Sequence, residues 1–465
     1  MAETTKEHIS LVTCGHVDSG KSTTCGRLMF ELGGISEREM EKLQKEADLL
    51  GKSSFSFAFY MDTEKEERAR GITISCRTKE FFTEKYHYSI IDAPGHRDFI
   101  KNMISGASQA DVGLLLVPAS AEFASATAQA DRENGQVSGQ SREHARLINL
   151  LGVKQLIVGI NKMDSDYAGW KQERYNEVRD EVANILLKVG WNKDFVKNNV
   201  AFIPYSGFKG DNLIKKSENM PWWDGVDVKS IDGNTVHVTT LLDALNNYAK
   251  PPPRQFDKPF RGPLSGVYNI KGIGQVYATR VEQGVVKPGD EVIFLPQHSE
   301  ANPCTGKVFS IEMHHKSLPE ARSGDNVGIC IKGVTKEKEH QPTAGSVMIL
   351  KSDSSLRTAK QFTCTAQIID HPNEIKIGYA PIAFCRTNRT AAKLVKINWK
   401  LGKETGGKKL EDPTYVKQGD ACELVFEPLQ PFVVEPFDKC EGLSRVACLD
   451  GNGVVLLAKV TKVDL

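Results

Sequence analysis

No two of the ten cysteines stand in a C-x-x-C spacing. Nothing therefore suggests a zinc ribbon or a dithiol redox site, and thiols scattered this widely do not read as a disulfide framework. They fit a reducing compartment. The opening MAETTKEH has no apolar signal-peptide core, and no run approaches the roughly 20 apolar residues of a membrane span. A cytoplasmic chain without membrane attachment is expected. Net charge is nearly lacking too, since 60 basic and 59 acidic side chains leave +1. One stretch is lopsided: residues 386–409 hold Arg386, Arg389, Lys393, Lys396, Lys400, Lys403, Lys408 and Lys409 against Glu404 alone. On charge, a phosphate-backbone surface and a merely solvated face are equal readings of it.

What is present suits a soluble protein with sizeable cores. The 465 residues are 40% hydrophobic and 26% charged, enough for roughly three domains. The sharpest feature is Gly15-His16-Val17-Asp18-Ser19-Gly20-Lys21-Ser22, with Thr23 next. It fits the pattern G-x-x-x-x-G-K-[ST]. An apolar run, Ile9 to Cys14, leads in, and a helix-like segment, Ser22 to Leu32, leads out. In a strand–turn–helix of this kind, backbone N–H groups and the helix N-terminus face phosphate oxygens. Lys21 would reach the outer phosphates and the Ser22 hydroxyl would ligate Mg²⁺. Alone, the pattern is a good lead with a bland rival, a glycine turn with a solvated lysine.

Residues 1–250 alternate apolar runs with amphipathic segments, the sign of a doubly wound, mostly parallel sheet with helices on both faces. Expected strands are Ile9–Cys14, Tyr86–Ile91, Val112–Val117, Gln155–Ile160 and Val200–Pro204. Four of these five lead into a short polar motif, which places the motifs on one rim around one ligand. Residues between Gly33 and Gly71 read as short helices and loops, ending in Arg68-Ala69-Arg70-Gly71-Ile72-Thr73-Ile74. Thr73 can offer a hydroxyl to Mg²⁺ and an N–H to a terminal phosphate, or can simply open the next strand. In Asp92-Ala93-Pro94-Gly95-His96, the acid can hold Mg²⁺ through water and Gly95 can donate to a γ-phosphate. His96 is placed to orient an attacking water.

Asn161-Lys162-Met163-Asp164 follows the next strand. The Asp164 carboxylate can accept from guanine N1–H and N2, which adenine cannot match, and an unmet buried acceptor discriminates strongly. Lys162 can lie along the base, and Ser206-Gly207-Phe208 can offer backbone donors to guanine O6. Together these motifs point to a guanine nucleotide. Residues 119–140 read as a surface loop without chemistry, and Trp222-Trp223 as packing residues. A helix is expected over Thr239–Tyr248, and then Pro251-Pro252-Pro253-Arg254 makes a stiff linker. Residues 254–352 and 357–465 carry short strands punctuated by Gly and Pro, which suggests two antiparallel β-barrels or sandwiches. Neither shows a catalytic constellation. Adjacent His314 and His315 would point to opposite faces of a strand and make a poor metal pair.

GHVDSGKST, RARGITI, DAPGHRDFIKNMISGASQAD, GVKQLIVGINKMD and the later GDN resemble translational GTPases of the elongation factor 1-alpha and elongation factor Tu type. The chain is most similar to the divergent elongation-factor-like proteins of that family. The resemblance implies a GTP-binding domain over 1–250, barrel domains over 254–352 and 357–465, and GTP or GDP with Mg²⁺ as cofactors. It implies a GTPase that carries aminoacyl-tRNA to the ribosomal A site and is stimulated by the ribosome. On it, Lys21, Asp18, Thr73 and His96 carry catalysis, Ser22, Thr73 and Asp92 hold Mg²⁺, and Lys101 and Asn102 face the tRNA. A monomer is expected, and an exchange factor stays open as a partner.

Several departures bear on cargo. The 119–140 segment is longer than its counterpart, Glu339-His340-Gln341-Pro342 replaces an arginine-glycine turn, and Arg386-Thr387-Asn388-Arg389 replaces a histidine-containing one. A lysine-rich tail is missing. Rival readings are a related carrier of a release or rescue protein, the GTPase subunit of a sulfate-activating enzyme, and a GTP-sensing structural protein. The first usually has a long N-terminal extension, whereas the first strand here begins by Ile9. The second more often has an acid where Ser19 stands, and the third predicts binding without turnover.

Overall fold

The computed structural model describes residues 6–107, 110–128, 139–313, 316–335, 337, 340–451 and 453–465. Residues 129–138, the histidine pair at 314–315 and Glu339 lie outside this set. The chain divides into two units, Met1–Pro252 and Pro253–Leu465.

Six strands form the sheet of the first unit: β1 (His8–Gly15), β2 (Arg77–Phe82), β3 (His87–Asp92), β4 (Val112–Pro118), β5 (Gln155–Asn161) and β6 (Val200–Pro204), in the order β2-β3-β1-β4-β5-β6. All neighbours are parallel except β2, which runs antiparallel to β3 at the edge. Every residue of β1, β4, β5 and β6 is buried, as expected of strands covered on both faces. The edge strand β2 is half-exposed and carries Arg77, Lys79 and Glu80, so it offers no apolar run to read. β1 lies between β3 and β4, and Thr13 pairs with Asp92 while Pro118 pairs with Asn161. The strand order reverses between β1 and β4, with β3 and β5 next on either side, and such sheets bind ligands at the carboxyl ends beside that point.

Residues 33–71 form short helices, Glu37–Leu49, Ala58–Met61 and Lys65–Arg70. The last is closed by Gly71 in the left-handed region at φ 76°, where a side chain would be strained. The expected terminal helix begins as Leu241–Asp243, capped reciprocally by Thr240 and Asp243, and widens into a π-turn over Ala244–Tyr248. Trp222 and Trp223 are packing residues: both lie 5.4 Å from the Tyr175 ring, and their indole N–H groups donate to Trp170 O and Thr239 O.

The second unit holds two closed six-strand antiparallel barrels. In the first, Gly262–Ile270, Gly274–Arg280, Asn326–Lys332, Thr305–Met313, Glu291–Leu295 and Val347–Leu350 pair in a ring. In the second, Ile382–Cys385 pairs with Asn388–Leu401 to close a ring of Arg445–Asp450, Gly453–Asp464, Gln361–Ile368 and Ala421–Pro428. Gln361–Ile368 and Ala421–Pro428 alternate buried and partly exposed residues, the pattern of barrel strands. Ile293, Leu295, Val347 and Ile349 of the first barrel join the core of the second. Polar clamps reinforce the seam, with Arg386 binding Glu282 and Gly442 O, and the Thr387 hydroxyl donating to Leu264 O at 2.6 Å. The first two residues of the unusual turn Arg386–Arg389 thus face the neighbouring barrel.

Candidate functional site

The loop after β1 is shaped by positions that exclude side chains. A Cβ on Gly15 would lie 2.3 Å from Leu116 O, and one on Gly20 would lie 2.3 Å from Asn161 Nδ2. Gly20, at φ 86°, caps the helix Lys21–Glu31, and Asp18 also adopts a positive φ of 60°. Lys21 is buried and its ammonium donates to Gly15 O at 3.1 Å and His16 O at 2.7 Å. Burial lowers its pKa, with Asp92 working the other way. Behind the loop, Gly15 N–H donates to His144 Nδ1 at 2.9 Å and His16 N–H to Ser141 Oγ at 3.3 Å.

A cleft of about 380 Å³ opens beside the loop, lined among others by Lys21, Ser22, Asp62, Thr73, His96 and Asp164. That size suits a small-molecule ligand. Val17, Asp18, Gly20, Thr23, Gly95, Asn161, Lys162 and Phe208 also line it. Gly15, His16, Ser19, Asp92, Ser206 and Gly207 are not among its lining residues. Lys101 and Asn102 stand apart on the helix Ile100–Ala107. The Asn102 amide donates to Ile74 O at 2.8 Å, so it holds the Thr73 segment.

Oxygen groups converge on the inner end of the cleft. Ser22 Oγ lies 3.1 Å from Thr73 Oγ1, which donates to Asp62 Oδ1 at 2.9 Å. Fully buried Asp92 accepts from Thr13 Oγ1 at 3.0 Å through Oδ1, while its Oδ2 has no hydrogen-bond partner. Burial raises the Asp92 pKa, against which the Lys21 charge acts. Burial, and then the Asp92 charge, push Asp62 up to about 7. Two carboxylates and two hydroxyls, one oxygen unpartnered, are the hard donor set that suits Mg²⁺. A cation there would relieve both carboxylates. Sequence reasoning missed Asp62; the signal was a lone acid closing the apolar run Phe57-Ala58-Phe59-Tyr60-Met61.

Buried Glu67 fixes Thr73 from the other side. Its Oε1 accepts the N–H groups of Ile74 and Ser75 at 3.0 and 3.2 Å. The strand that follows starts only at Arg77, so Thr73 belongs to this pinned turn. Gly95 crosses over Lys21, and a Cβ there would lie 2.4 Å from the ammonium. His96 is part-exposed at the cleft, and Asp98 N–H reaches its Nδ1 at 3.3 Å.

At the other end, Asn161 ties two loops together. Its Nδ2 donates to Ser19 O at 2.9 Å and its Oδ1 accepts from Gly207 N–H at 2.8 Å. Lys162 takes a positive φ of 62°, and Asp164 lines the cleft beyond it. Ser206 N–H donates to Asp211 O, so this amide and that of Gly207 are engaged within the protein. In the second unit the basic stretch is partly neutralised, as Lys396 pairs with Asp412, Lys400 with Glu404 and Lys409 with Glu411. Those pairs interrupt a continuous cationic track.

Residues 6–251 match the elongation factor Tu GTP binding domain, residues 274–348 match elongation factor Tu domain 2, and residues 361–461 match the GTP-eEF1A C-terminal domain-like family. Among solved structures, the GTPase-like domain of S. cerevisiae Ski7 bound to GTP gives a TM-score of 0.77 at 18% identity, covering 98% of this chain and 97% of that one. Translation elongation factor SelB from Methanococcus maripaludis, in complex with the GTP analogue GPPNHP, gives 0.64 at 21%, covering 99% and 80%. A bacterial selenocysteine-specific elongation factor, EF-Sec, gives 0.62 at 19%, covering 98% and 58%. At these identities the likeness is one of fold. No helix among the described residues is long and apolar enough to cross a membrane.

Proposed function

The chain belongs to the elongation factor Tu and 1-alpha family of three-domain translational GTPases, and on that premise we propose that it carries aminoacyl-tRNA to the ribosomal A site in its GTP state and releases it on hydrolysis. The observation that carries this reading is the hydroxyl link from Ser22 to Thr73 and on to Asp62. It joins the phosphate loop to a segment that is itself held by Asn102, beside Lys101 on the expected tRNA face. A change at the terminal phosphate would then move the cargo side.

Within the cleft, Lys21 and the loop N–H groups hold the phosphates, and Asp164 with Lys162 reads the guanine. Ser22 and Thr73 would ligate Mg²⁺ directly, with Asp92 and Asp62 holding its water. The ion, when bound, supplies positive charge against the phosphate oxygens. Gly95 lets the backbone approach the γ-phosphate, and His96, with Nδ1 engaged by Asp98 N–H, keeps Nε2 for the attacking water. Asp18 lies by the phosphates. His96→Ala is expected to bind GTP normally yet lose ribosome-stimulated hydrolysis by at least ~10²-fold. Unchanged single-turnover hydrolysis on ribosomes would remove its role. Asp62→Asn is expected to raise the Mg²⁺ concentration needed for half-maximal GDP retention by about tenfold, read by titration. An unchanged midpoint would take Asp62 out of the ion's surroundings.

The deciding experiment is protection of an aminoacyl-tRNA ester from spontaneous hydrolysis, with GTP and then with GDP. Protection only with GTP is expected. A second reading, delivery of a release or rescue protein, draws on Arg386 and Thr387, which are engaged at the barrel seam rather than free for RNA. GTP binding without ester protection would favour that reading.

A further inference from the structure

We propose that Ser141 and His144 are positioning residues for the phosphate loop, and that the helix carrying them sets how long GDP stays bound. The proposal rests on the nucleotide reading above. Both residues lie on the helix Gln140–Leu150. Their three-residue spacing puts them on one face, and that face meets the loop at two consecutive amides. Gly15 is thereby clamped on both sides, its N–H held by His144 and its carbonyl by Lys21. The clamp acts just before Val17, the first residue of the loop to line the cleft.

His144 is an odd choice for structure alone. It is fully buried, and its Nε2 has no hydrogen-bond partner. An orphaned buried polar group is costly, and its persistence calls for a reason. Donation from Gly15 requires Nδ1 to be unprotonated, which puts the ring proton on the orphaned Nε2. Burial, and then the Lys21 charge, lower its pKa to about 3, so the ring remains an acceptor at working pH. The helix is anchored away from the loop. Trp191 Nε1 donates to Ala145 O at 2.9 Å, and Leu147 and Ile148 are buried. It is therefore a rigid lever behind the phosphates, distinct from the Ser22, Thr73 and Asp92 side of the site.

The test is dissociation of fluorescent mant-GDP from the full chain, chased with excess GDP at fixed Mg²⁺. His144→Leu fills the space without an acceptor and is expected to release GDP ~10-fold faster. His144→Asn places an oxygen where Nδ1 stood and is expected to restore release to within about twofold of wild type. Ser141→Ala is expected to quicken release as well, and the double variant to fall short of the product, because both act on one loop. Competition by GMP, which lacks the β-phosphate the loop encloses, should change less than about twofold. Release from His144→Leu at the wild-type rate overturns the proposal, as does failure of His144→Asn to rescue it, or an equal loss of GMP affinity. Wild-type protein that fails to bind mant-GDP would instead overturn the nucleotide reading beneath it.

Discussion

Asp164→Asn is expected to turn the nucleotide preference from GTP toward XTP by ~10⁴-fold or more. On the proposed reading the carboxylate would accept from two guanine donors, and the variant's amide would present a donor to the amine at C2. Xanthine carries an oxygen there, so the mismatch becomes a match. Sites built on hydrogen bonds to a substrate discriminate at this level because the wrong partner leaves buried groups unpaired. The frame around Asp164 supports a rigid readout. Asn161 is fixed by Ser19 O and Gly207 N–H, and Lys162 is held at a positive φ of 62°. Competition of unlabelled GTP and XTP against a fluorescent nucleotide measures the switch. A variant that still prefers GTP as wild type does would place the base elsewhere in the cleft.

The nucleotide frame was legible because its physics is local. Strands buried on both faces must be continuous apolar runs, so β1, β3, β4, β5 and β6 lie within a residue or so of their expected spans. The loops that follow announce themselves through glycines at places where a Cβ would collide. The half-exposed β2 mixes charges with Phe81 and Phe82, and no periodicity gives it away. Asp62, Glu67, Ser141 and His144 were illegible for another reason. Each acts through partners distant in sequence or through backbone amides that no motif encodes: Ser141 and His144 reach loop amides 125 and 129 residues away. Asn102 is the instructive case. The resemblance gave it an RNA-facing role, and the structure places its amide on Ile74 O. That contact makes it a brace for the Thr73 segment whatever the cargo.

The same limit governs the barrels, where one arginine ties segments of both together. Arg261 is 1% exposed. It donates from Nε and NH2 to Glu435 at 2.7 and 3.1 Å, from NH1 to Asp353, and from NH2 to Ser355 Oγ at 2.9 Å. Burial works against the guanidinium charge, yet Glu435 and Asp353 hold its pKa above the ordinary value. Asp353 and Ser355 lie on the connection between the barrels, and Glu435 belongs to the second, so one side chain gathers three segments. Arg261→Met would leave Glu435 and Asp353 uncompensated, a loss of about 3–5 kcal/mol where a buried partner is removed. Hydrogen exchange of the full chain should show protection falling across Gly262–Ile270 and the Glu435 segment, with β1 and β4 unaffected. Adding Glu435→Leu and Asp353→Asn should restore much of it, because the cost lies in stranded charge rather than lost packing. Protection unchanged in Arg261→Met, or no recovery in the triple variant, would mean that the apolar contacts of Ile293, Leu295, Val347 and Ile349 alone hold the barrels together.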